Sequence, residues 1–315
     1  MVFYIISGIL GFLVLSILGL LIYCYFHVFY SKKRVPLGEN EYDIPSGAEY
    51  ERHREQMIAW VKLSRTLPHE NVSITSFDGL TLRGKYYECK KGAPIEIMFN
   101  GYRGNAERDM SGGIDRCFAL NRNALVVNQR SCGASDGKTA TFGINESKDC
   151  LKWIDFAIEK FGKDCELILT GISMGATTVL ITAGEKLPPN VKYVLADCPF
   201  TSAKDIICKV IKDMKLPQKV FYPFIKLSAK IFGRFNLDEK SALEQVKKAT
   251  VPIIILHGDK DEFVPYQMGV DLYNATISKK AFFTSHGADH GLAFPENKEE
   301  YLNAIRDFEK QLGIR

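Results

Sequence analysis

Residues 167–180 read LILTGISMGATTVL: an apolar run, a turn that holds a serine between two glycines, and a second apolar run. This pattern matches the G-x-S-x-G motif, in which a strand turns tightly into a helix and presents the serine hydroxyl as a nucleophile. Gly171 and Gly175 fit as steric requirements, because the turn leaves no room for a Cβ atom beside the serine. Ser173 is the candidate nucleophile. The N–H of Met174, at the start of the helix, is the candidate donor to an oxyanion.

Buried strands and helices alternate on both sides of this motif. A β-hairpin is predicted at 72–77 and 80–87. Further strands are expected at 95–99, 124–128, 166–170, 191–196, 253–256 and 281–284, and helices at 106–119, 143–161, 174–185 and 295–312. Such alternation predicts an α/β fold with a mostly parallel, eight-stranded sheet covered by helices on both faces. Its ligand crevice is expected at the carboxyl ends of the strands.

The N-terminal segment has the composition of a membrane-spanning helix. It contains no Lys, Arg, Asp or Glu up to Ser31, and its apolar run from Val2 to Ile22 is long enough to cross a bilayer. Rings at Tyr23, Tyr25, Phe26, Phe29 and Tyr30 are expected to form an aromatic belt before Lys32, Lys33 and Arg34. Basic residues before the run and a cleavage site are missing, so the segment is expected to remain attached. The charge asymmetry predicts a single-pass protein of the cell membrane with a cytoplasmic globular part.

Three parts are therefore expected. They are a transmembrane helix at 1–31, a juxtamembrane linker with an amphipathic helix at 32–69, and an α/β domain at 70–315 with an insertion at about 201–250. The 41 basic and 37 acidic residues are scattered along the chain, so the net charge of +4 gives no sign of a nucleic-acid partner. The eight cysteines form no C-x-x-C pair or zinc-ligand cluster and are expected to be reduced core thiols.

Three sequence features together resemble the α/β-hydrolase superfamily over about residues 70–313. They are the motif at 171–175, HGDKDEFVP at 257–265, and Asp289-His290. The resemblance is greatest to single-domain serine hydrolases related to S9 and S33 peptidases and to membrane-anchored esterases. It implies the α/β-hydrolase fold, with the insertion as a short helical cap. The sequence departs from the family at Asn100-Gly101, where His-Gly is usual, and at 128–135, NQRSCGAS, where D-x-R-G-x-G-x-S is usual.

A serine hydroxyl needs a base to take its proton, and the base needs a carboxylate to orient it. In this fold the chain order is serine, acid, histidine, which Ser173, Asp261 and His290 satisfy. His290 is favoured over His286 because a glycine follows it in the loop beyond the last strand, and His286 is expected to bond to backbone.

The acid has several candidates. Asp261 fits the H-G-x-x-D spacing, whereas Asp259, expected as a turn former, and Glu262 share its loop, and Asp197 follows the sixth strand. By analogy with the superfamily, the backbone N–H of Tyr102 is the second oxyanion donor.

These residues predict acyl transfer to water through an acyl-enzyme, with no metal or organic cofactor. The expected substrates are small acyl esters, lipids or short peptides. A serine peptidase or aminopeptidase is the enzymatic alternative, and a membrane-tethered binding module without activity is the other. The insertion is expected either to line an acyl pocket or rest on anionic lipid, or to pack on the sheet with its lysines in solvent. The sequence does not predict the oligomeric state.

Overall fold

The computed structural model of the chain describes residues 1–32 and 38–314. Lys33 and Arg34, two of the basic residues expected to close the membrane segment, lie outside the described residues. The strands are β1 Glu70–Thr75, β2 Thr81–Tyr87, β3 Ile95–Phe99, β4 Asn123–Val127, β5 Leu167–Ile172, β6 Val191–Asp197, β7 Ile253–Gly258 and β8 Lys280–Ser285. The helices are α1 Val2–Val28, α2 Ala48–Glu51, α3 Arg54–Thr66, α4 Ala106–Ala119, α5 Ile144–Phe161, α6 Met174–Ala183, α7 Ala203–Asp213, α8 Gln218–Ser228, α9 Ala242–Val246, α10 Tyr266–Ala275, α11 Ala293–Glu296 and α12 Lys298–Leu312, with a π-helical turn at Ala229–Gly233.

The eight strands form one sheet in the order β1-β2-β4-β3-β5-β6-β7-β8. Strand β2 runs antiparallel to β1 and β4, and the other neighbouring pairs are parallel. The expected α/β-hydrolase fold with a mostly parallel, eight-stranded sheet is therefore confirmed. In the centre, Phe99 of β3 pairs with Gly171 of β5, so the loops after these two strands lie side by side.

Helices cover both faces of the sheet because the central strands are apolar on both sides. Strands β3, β4 and β7 are buried at every position. Apolar residues of α5, α6, α9 and α10 pack on one face, among them Trp153 and Val179. On the other face lie α3, α4, α11 and α12, where Trp60 and Tyr301 belong to buried clusters.

Helix α10 was not predicted from the sequence. Its first turn ends at Gly269, and glycine normally weakens a helix. In the fold, a Cβ atom at this position would lie 2.4 Å from Nδ1 of His257, so the glycine makes room for a buried ring of β7. The helix predicted at 295–312 is two helices in the structure, α11 and α12, which are separated at Asn297.

Helix α1 is long and apolar enough to cross a membrane, and only Leu21 and Cys24 within it are buried. A signal sequence near the N-terminus can have the same length and composition. The chain just after the helix packs on the domain. Phe29 is fully buried, with its ring centroid 5.9 Å from Phe142 and 5.4 Å from Phe235, so the expectation that it belongs to an aromatic belt was wrong.

The insertion contains α7, α8, the π-helical turn and α9, and its apolar side packs against the end of α1 in one cluster. Helix α3, expected in a juxtamembrane segment, packs on α4 and buries Met57 and Trp60 in a core of the α/β fold. The division into 1–31, 32–69 and 70–315 stays a prediction, but residues 54–66 share their packing with the third part.

Candidate active site

The turn between β5 and α6 has the backbone that the G-x-S-x-G motif requires. Ser173 has φ 55° and ψ −115°, a conformation that L-residues rarely adopt. A Cβ atom on Gly171 would lie 2.1 Å from the carbonyl carbon of Gly175, and one on Gly175 would lie 2.0 Å from the carbonyl oxygen of Phe99. Both positions therefore require glycine for close approach of backbone.

Three side chains that are distant in the sequence converge at this turn. Nε2 of His290 lies 3.0 Å from Oγ of Ser173, and Nδ1 of the same ring lies 2.7 Å from Oδ2 of Asp261. His290 follows β8 and Asp261 follows β7, so the parallel sheet brings both loops to the edge where Ser173 follows β5. Hydroxyl, imidazole and carboxylate thus form the hydrogen-bonded series that general-base activation of a serine needs.

The environment of Asp261 keeps its carboxylate ionised. Burial raises its pKa, but hydrogen bonds from His257 and His290 outweigh burial and lower the pKa to about 2. Its Oδ1 also accepts the backbone N–H groups of Phe263 at 3.0 Å and Val264 at 2.7 Å. This carboxylate is therefore fixed in position from both sides.

His257 also contacts the carboxylate of Asp261, although no role for it was predicted from the sequence. The ring is fully buried, and its Nε2 lies 3.3 Å from Oδ2 of Asp261 and 3.0 Å from the carbonyl oxygen of Val264. The available signal was its place at the start of the H-G-x-x-D motif, four residues before the acid.

The loop after β3 is braced by Asn100, the residue that replaces the family's histidine. Its Nδ2 donates to the carbonyl of Gly101 at 2.8 Å, and its Oδ1 accepts the N–H of Gln129 at 3.0 Å. Gln129 returns a bond from Nε2 to the carbonyl of Asn100 at 2.6 Å. Within the described ranges, the N–H groups of Tyr102 and Met174 donate to no protein acceptor, so both remain available to a ligand.

The alternative candidates for the base and the acid, His286, Asp259 and Glu262, are not part of the hydrogen-bonded series of Ser173, His290 and Asp261. The side chain of His286 is 83% exposed and bonds to Asp259 through Nδ1 at 2.9 Å, so the expectation of a backbone partner was wrong. Asp259 also accepts the N–H of Gly287, as a turn former does. Glu262 is exposed.

Asp197 is buried and accepts the hydroxyl of Tyr301 at 2.9 Å. Burial raises its pKa, in contrast to Asp261. The structure therefore joins His290 to Asp261, while Asp197 is bound to a tyrosine of α12.

A cavity of about 210 Å³ opens beside Ser173 and His290. Its apolar lining includes Met57, Trp60, Met110, Phe263 and Phe294. Of the residues that the structure describes, none at 201–250 lines this cavity, so the expected acyl pocket under the insertion is not found there. Helix α3 contributes Met57 and Trp60 to the apolar lining instead. The signal in the sequence was the amphipathic pattern at 48–67, which ends against Pro68.

One group of described residues has the donors for a metal ion, namely Cys198, Asp261 and His290, whose donor atoms lie within 4.8 Å of one another. Two of the three are already hydrogen-bonded to each other. Burial raises the pKa of the Cys198 thiol well above its usual range, which disfavours the thiolate that metals bind. The geometry therefore fits a hydrogen-bonded site better than a metal centre.

Comparisons with known proteins agree with this fold. The sequence profile of the prolyl oligopeptidase family, peptidase S9, matches residues 136–313. The uncharacterized protein YqkD of Bacillus subtilis is 26% identical over 190 residues, 60% of this chain and 62% of that protein. Protein bem46 of Schizosaccharomyces pombe is 25% identical over 227 residues, 70% of this chain and 69% of that protein. The esterase Pf2001 of Pyrococcus furiosus has a similar structure, with a TM-score of 0.66 at 19% identity over 90% of this chain and 98% of that chain.

The fold, the turn at Ser173 and these similarities define a serine hydrolase of the α/β-hydrolase superfamily. The chain belongs to the prolyl oligopeptidase family, whose profile covers more than half of it. The match to YqkD covers less than two thirds of that relative.

Proposed function

We propose that the protein hydrolyses acyl esters through an acyl-enzyme, with Ser173 as nucleophile, His290 as general base and acid, and Asp261 as the orienting carboxylate. The observation that carries the proposal is the pair of contacts of His290, 3.0 Å to the serine hydroxyl and 2.7 Å to the carboxylate. A proton on Nδ1 donates to Asp261, which leaves the lone pair of Nε2 facing Ser173.

In the first step, Oγ of Ser173 attacks the ester carbonyl while its proton passes to Nε2 of His290. The tetrahedral oxyanion lies near the N–H groups of Met174 and Tyr102, which together account for a few kcal/mol of barrier lowering by the usual magnitude of such donors. The imidazolium then gives its proton to the leaving alcohol. Water repeats the sequence on the acyl-enzyme, releasing the acid and restoring Ser173.

The cavity supports a compact apolar acyl group as substrate. Its lining includes the side chains of Trp60, Phe294 and Met57, together with Ser173 itself. Its volume of about 210 Å³ suits a short acyl or aromatic acyl chain better than a folded protein. The esterase name of the Pyrococcus structure is consistent with this substrate class.

A serine peptidase acting on short peptides is the second candidate. It is supported by the family itself, which is named after prolyl oligopeptidase, and it would use the same three side chains. The two candidates differ in the leaving group, an alcohol or an amine. A substrate panel therefore separates them.

We also propose that α1 anchors the enzyme in the cell membrane with the catalytic domain in the cytoplasm. The apolar side chains at 2–18 are largely exposed to the surroundings of the protein, as lipid contact requires. Helix α8, which packs beside α1, adds the exposed apolar residues Val220 and Leu227, and Ile231 of the π-helical turn continues the row. Lys219 and Lys230 flank this row, a pattern that fits an anionic lipid surface.

The function is tested with a fluorophosphonate probe on the full chain in detergent. We expect an adduct on the wild type and none on Ser173→Ala, whereas Ser46→Ala, at an exposed serine, should label like the wild type. His290→Ala should abolish labelling, and His286→Ala should leave it within twofold. Labelling that persists without Ser173 would contradict the proposed nucleophile.

Substrate class is tested with p-nitrophenyl esters of increasing acyl length beside aminoacyl and dipeptidyl amides. We expect the highest kcat/KM for short esters, and amides cleaved faster than any ester would favour the peptidase. Orientation is tested with Lys91→Cys, in an exposed loop, and a membrane-impermeant maleimide. Labelling beyond that of the wild type should occur only after the cells are permeabilised, and labelling of intact cells would place the domain outside.

A further inference from the structure

The end of helix α1 contacts the loop that carries Tyr102. The hydroxyl of Tyr102 donates to the carbonyl oxygen of Val28, the last residue of the helix, at 2.7 Å. The tyrosine ring packs against Phe142, with ring centroids 5.3 Å apart. The residue whose N–H we assign to the oxyanion is therefore attached through its side chain to the N-terminal helix.

The next residue of this loop makes a second attachment. Arg103 has φ 53°, and its Nη2 donates to the carbonyl oxygens of His27 at 2.9 Å, Tyr30 at 2.6 Å and Phe26 at 3.2 Å. The last carbonyl groups of a helix have no partner within the helix and carry a partial negative charge. The guanidinium bonds to two of them, those of Phe26 and His27, and to the carbonyl of Tyr30 just beyond the helix, so the loop caps the helix end.

The helix end is itself fixed to the domain by other contacts. The N–H of Ser31 donates to the carbonyl of Lys138 at 2.8 Å, and the N–H of Ala140 donates to the carbonyl of Phe29 at 2.9 Å. Phe29 is fully buried in a cluster that also contains Met174, whose N–H is the other assigned donor. Tyr102 therefore contacts the end of α1 directly, whereas Met174 shares only a buried cluster with it.

From these contacts we propose that the C-terminal end of α1 positions the oxyanion loop, with the Tyr102 hydroxyl and the Arg103 guanidinium as positioning groups. The inference rests on the proposed function, since it concerns the same site. Oxyanion donors act only within about 2.7–3.1 Å of the oxyanion. On one side of Tyr102 the loop is held by the N–H of Gly101 bonded to Asp109 at 2.9 Å, and on the other by α1. Loss of the contacts with α1 lets the Tyr102 N–H move away from the oxyanion position.

The test compares Tyr102→Phe with Tyr23→Phe in the full-length protein. The first variant keeps the backbone N–H and the ring but removes the bond to Val28. The control removes a hydroxyl from α1 itself, at Tyr23, which is 57% exposed. We expect Tyr102→Phe to lower kcat about tenfold with KM within twofold, because it loosens a donor used in the transition state, and Tyr23→Phe to match the wild type. Arg103→Gln should lower kcat in the same way.

A transition-state analogue separates positioning from general damage to the fold. A trifluoromethyl ketone adds to the serine and places an oxyanion between the same donors, so its affinity should fall by the same factor as kcat/KM in Tyr102→Phe. Unchanged kcat and ketone affinity in both variants would overturn the inference. So would a lower melting temperature with ketone affinity retained. A wild type without Ser173-dependent fluorophosphonate labelling would instead count against the proposed function.

Discussion

Asp261→Asn is the substitution whose effect follows most directly from the contacts of the site. Oδ1 of Asp261 accepts two backbone N–H groups, and Oδ2 faces Nδ1 of His290 at 2.7 Å. In asparagine only one of the two terminal atoms is an acceptor. The amide oxygen must take the position that receives two N–H groups, which turns the NH₂ group toward His290.

The consequence is the wrong tautomer of the base. With a donor facing it, Nδ1 of His290 must accept, so the ring proton moves to Nε2 and points at Oγ of Ser173. A protonated Nε2 has no lone pair for the serine proton. In serine proteases the corresponding change lowers kcat about 10⁴-fold with the geometry intact, which is about 5.5 kcal/mol of barrier. We expect a loss of this size here.

The assay is the second-order rate constant for inactivation by a fluorophosphonate, because it needs no knowledge of the substrate. Asp259→Asn is the matched control, since that carboxylate lies two residues away in the same loop and bonds to the exposed His286. We expect the control to stay within twofold of the wild type. A rate within tenfold of the wild type in Asp261→Asn, or an equal loss in Asp259→Asn, would refute the assignment of Asp261 as the orienting carboxylate. Asp197 would then be the next candidate.

Further predictions concern packing and pH. Gly175→Ala places a methyl group 2.0 Å from a backbone carbonyl oxygen, so fluorophosphonate labelling and the melting temperature should both fall, whereas Gly8→Ala, with no atom near its Cβ, should change neither. Glu96→Gln replaces the carboxylate shared by two buried ion pairs with a neutral amide, and we expect the free energy of unfolding in urea to fall by about 3–5 kcal/mol. Phe29→Ala should cost about 3–5 kcal/mol, and Phe26→Ala, at a ring 54% exposed, far less in the same detergent. The pKa of Asp261 falls from 3.8 to about 2 on folding, so its stabilisation is complete above about pH 4 and is lost as pH falls toward 2. The stability gap between wild type and Asp261→Asn should therefore narrow by about 1 kcal/mol between pH 6 and pH 3, and an equal gap at both values would contradict the lowered pKa.

The contrast between Asp261 and Asp197 shows what a sequence motif can and cannot predict. Asp197 ends the buried strand β6 and Asp261 follows the buried strand β7, and the H-G-x-x-D spacing favoured Asp261. The spacing could not show that Asp197 bonds to Tyr301 of α12, more than 100 residues away. It also could not show that His257 reaches Asp261, because that contact depends on how the loop after β7 folds back on its own strand.

The lining of the cavity beside Ser173 shows what the sequence pattern could not predict. An apolar insertion after β6 was the natural candidate for an acyl pocket, but its apolar side is occupied by the end of α1. The cavity beside Ser173 is lined instead by Met57 and Trp60 of α3. Periodicity reports that a helix face is buried, but it contains no information about the surface that buries it.

Local pattern by itself determined the sheet, the turn at Ser173 and the class of enzyme. Strand length, apolar runs and glycine positions act over a few residues, and the rules for parallel sheets then bring the strand ends to one edge. Only the tertiary structure decided the position of α3 beside the nucleophile and the attachment of Tyr102 to Val28. Those contacts join surfaces from distant parts of the chain, and their free energy depends on shape and hydrogen-bond geometry that no local pattern records.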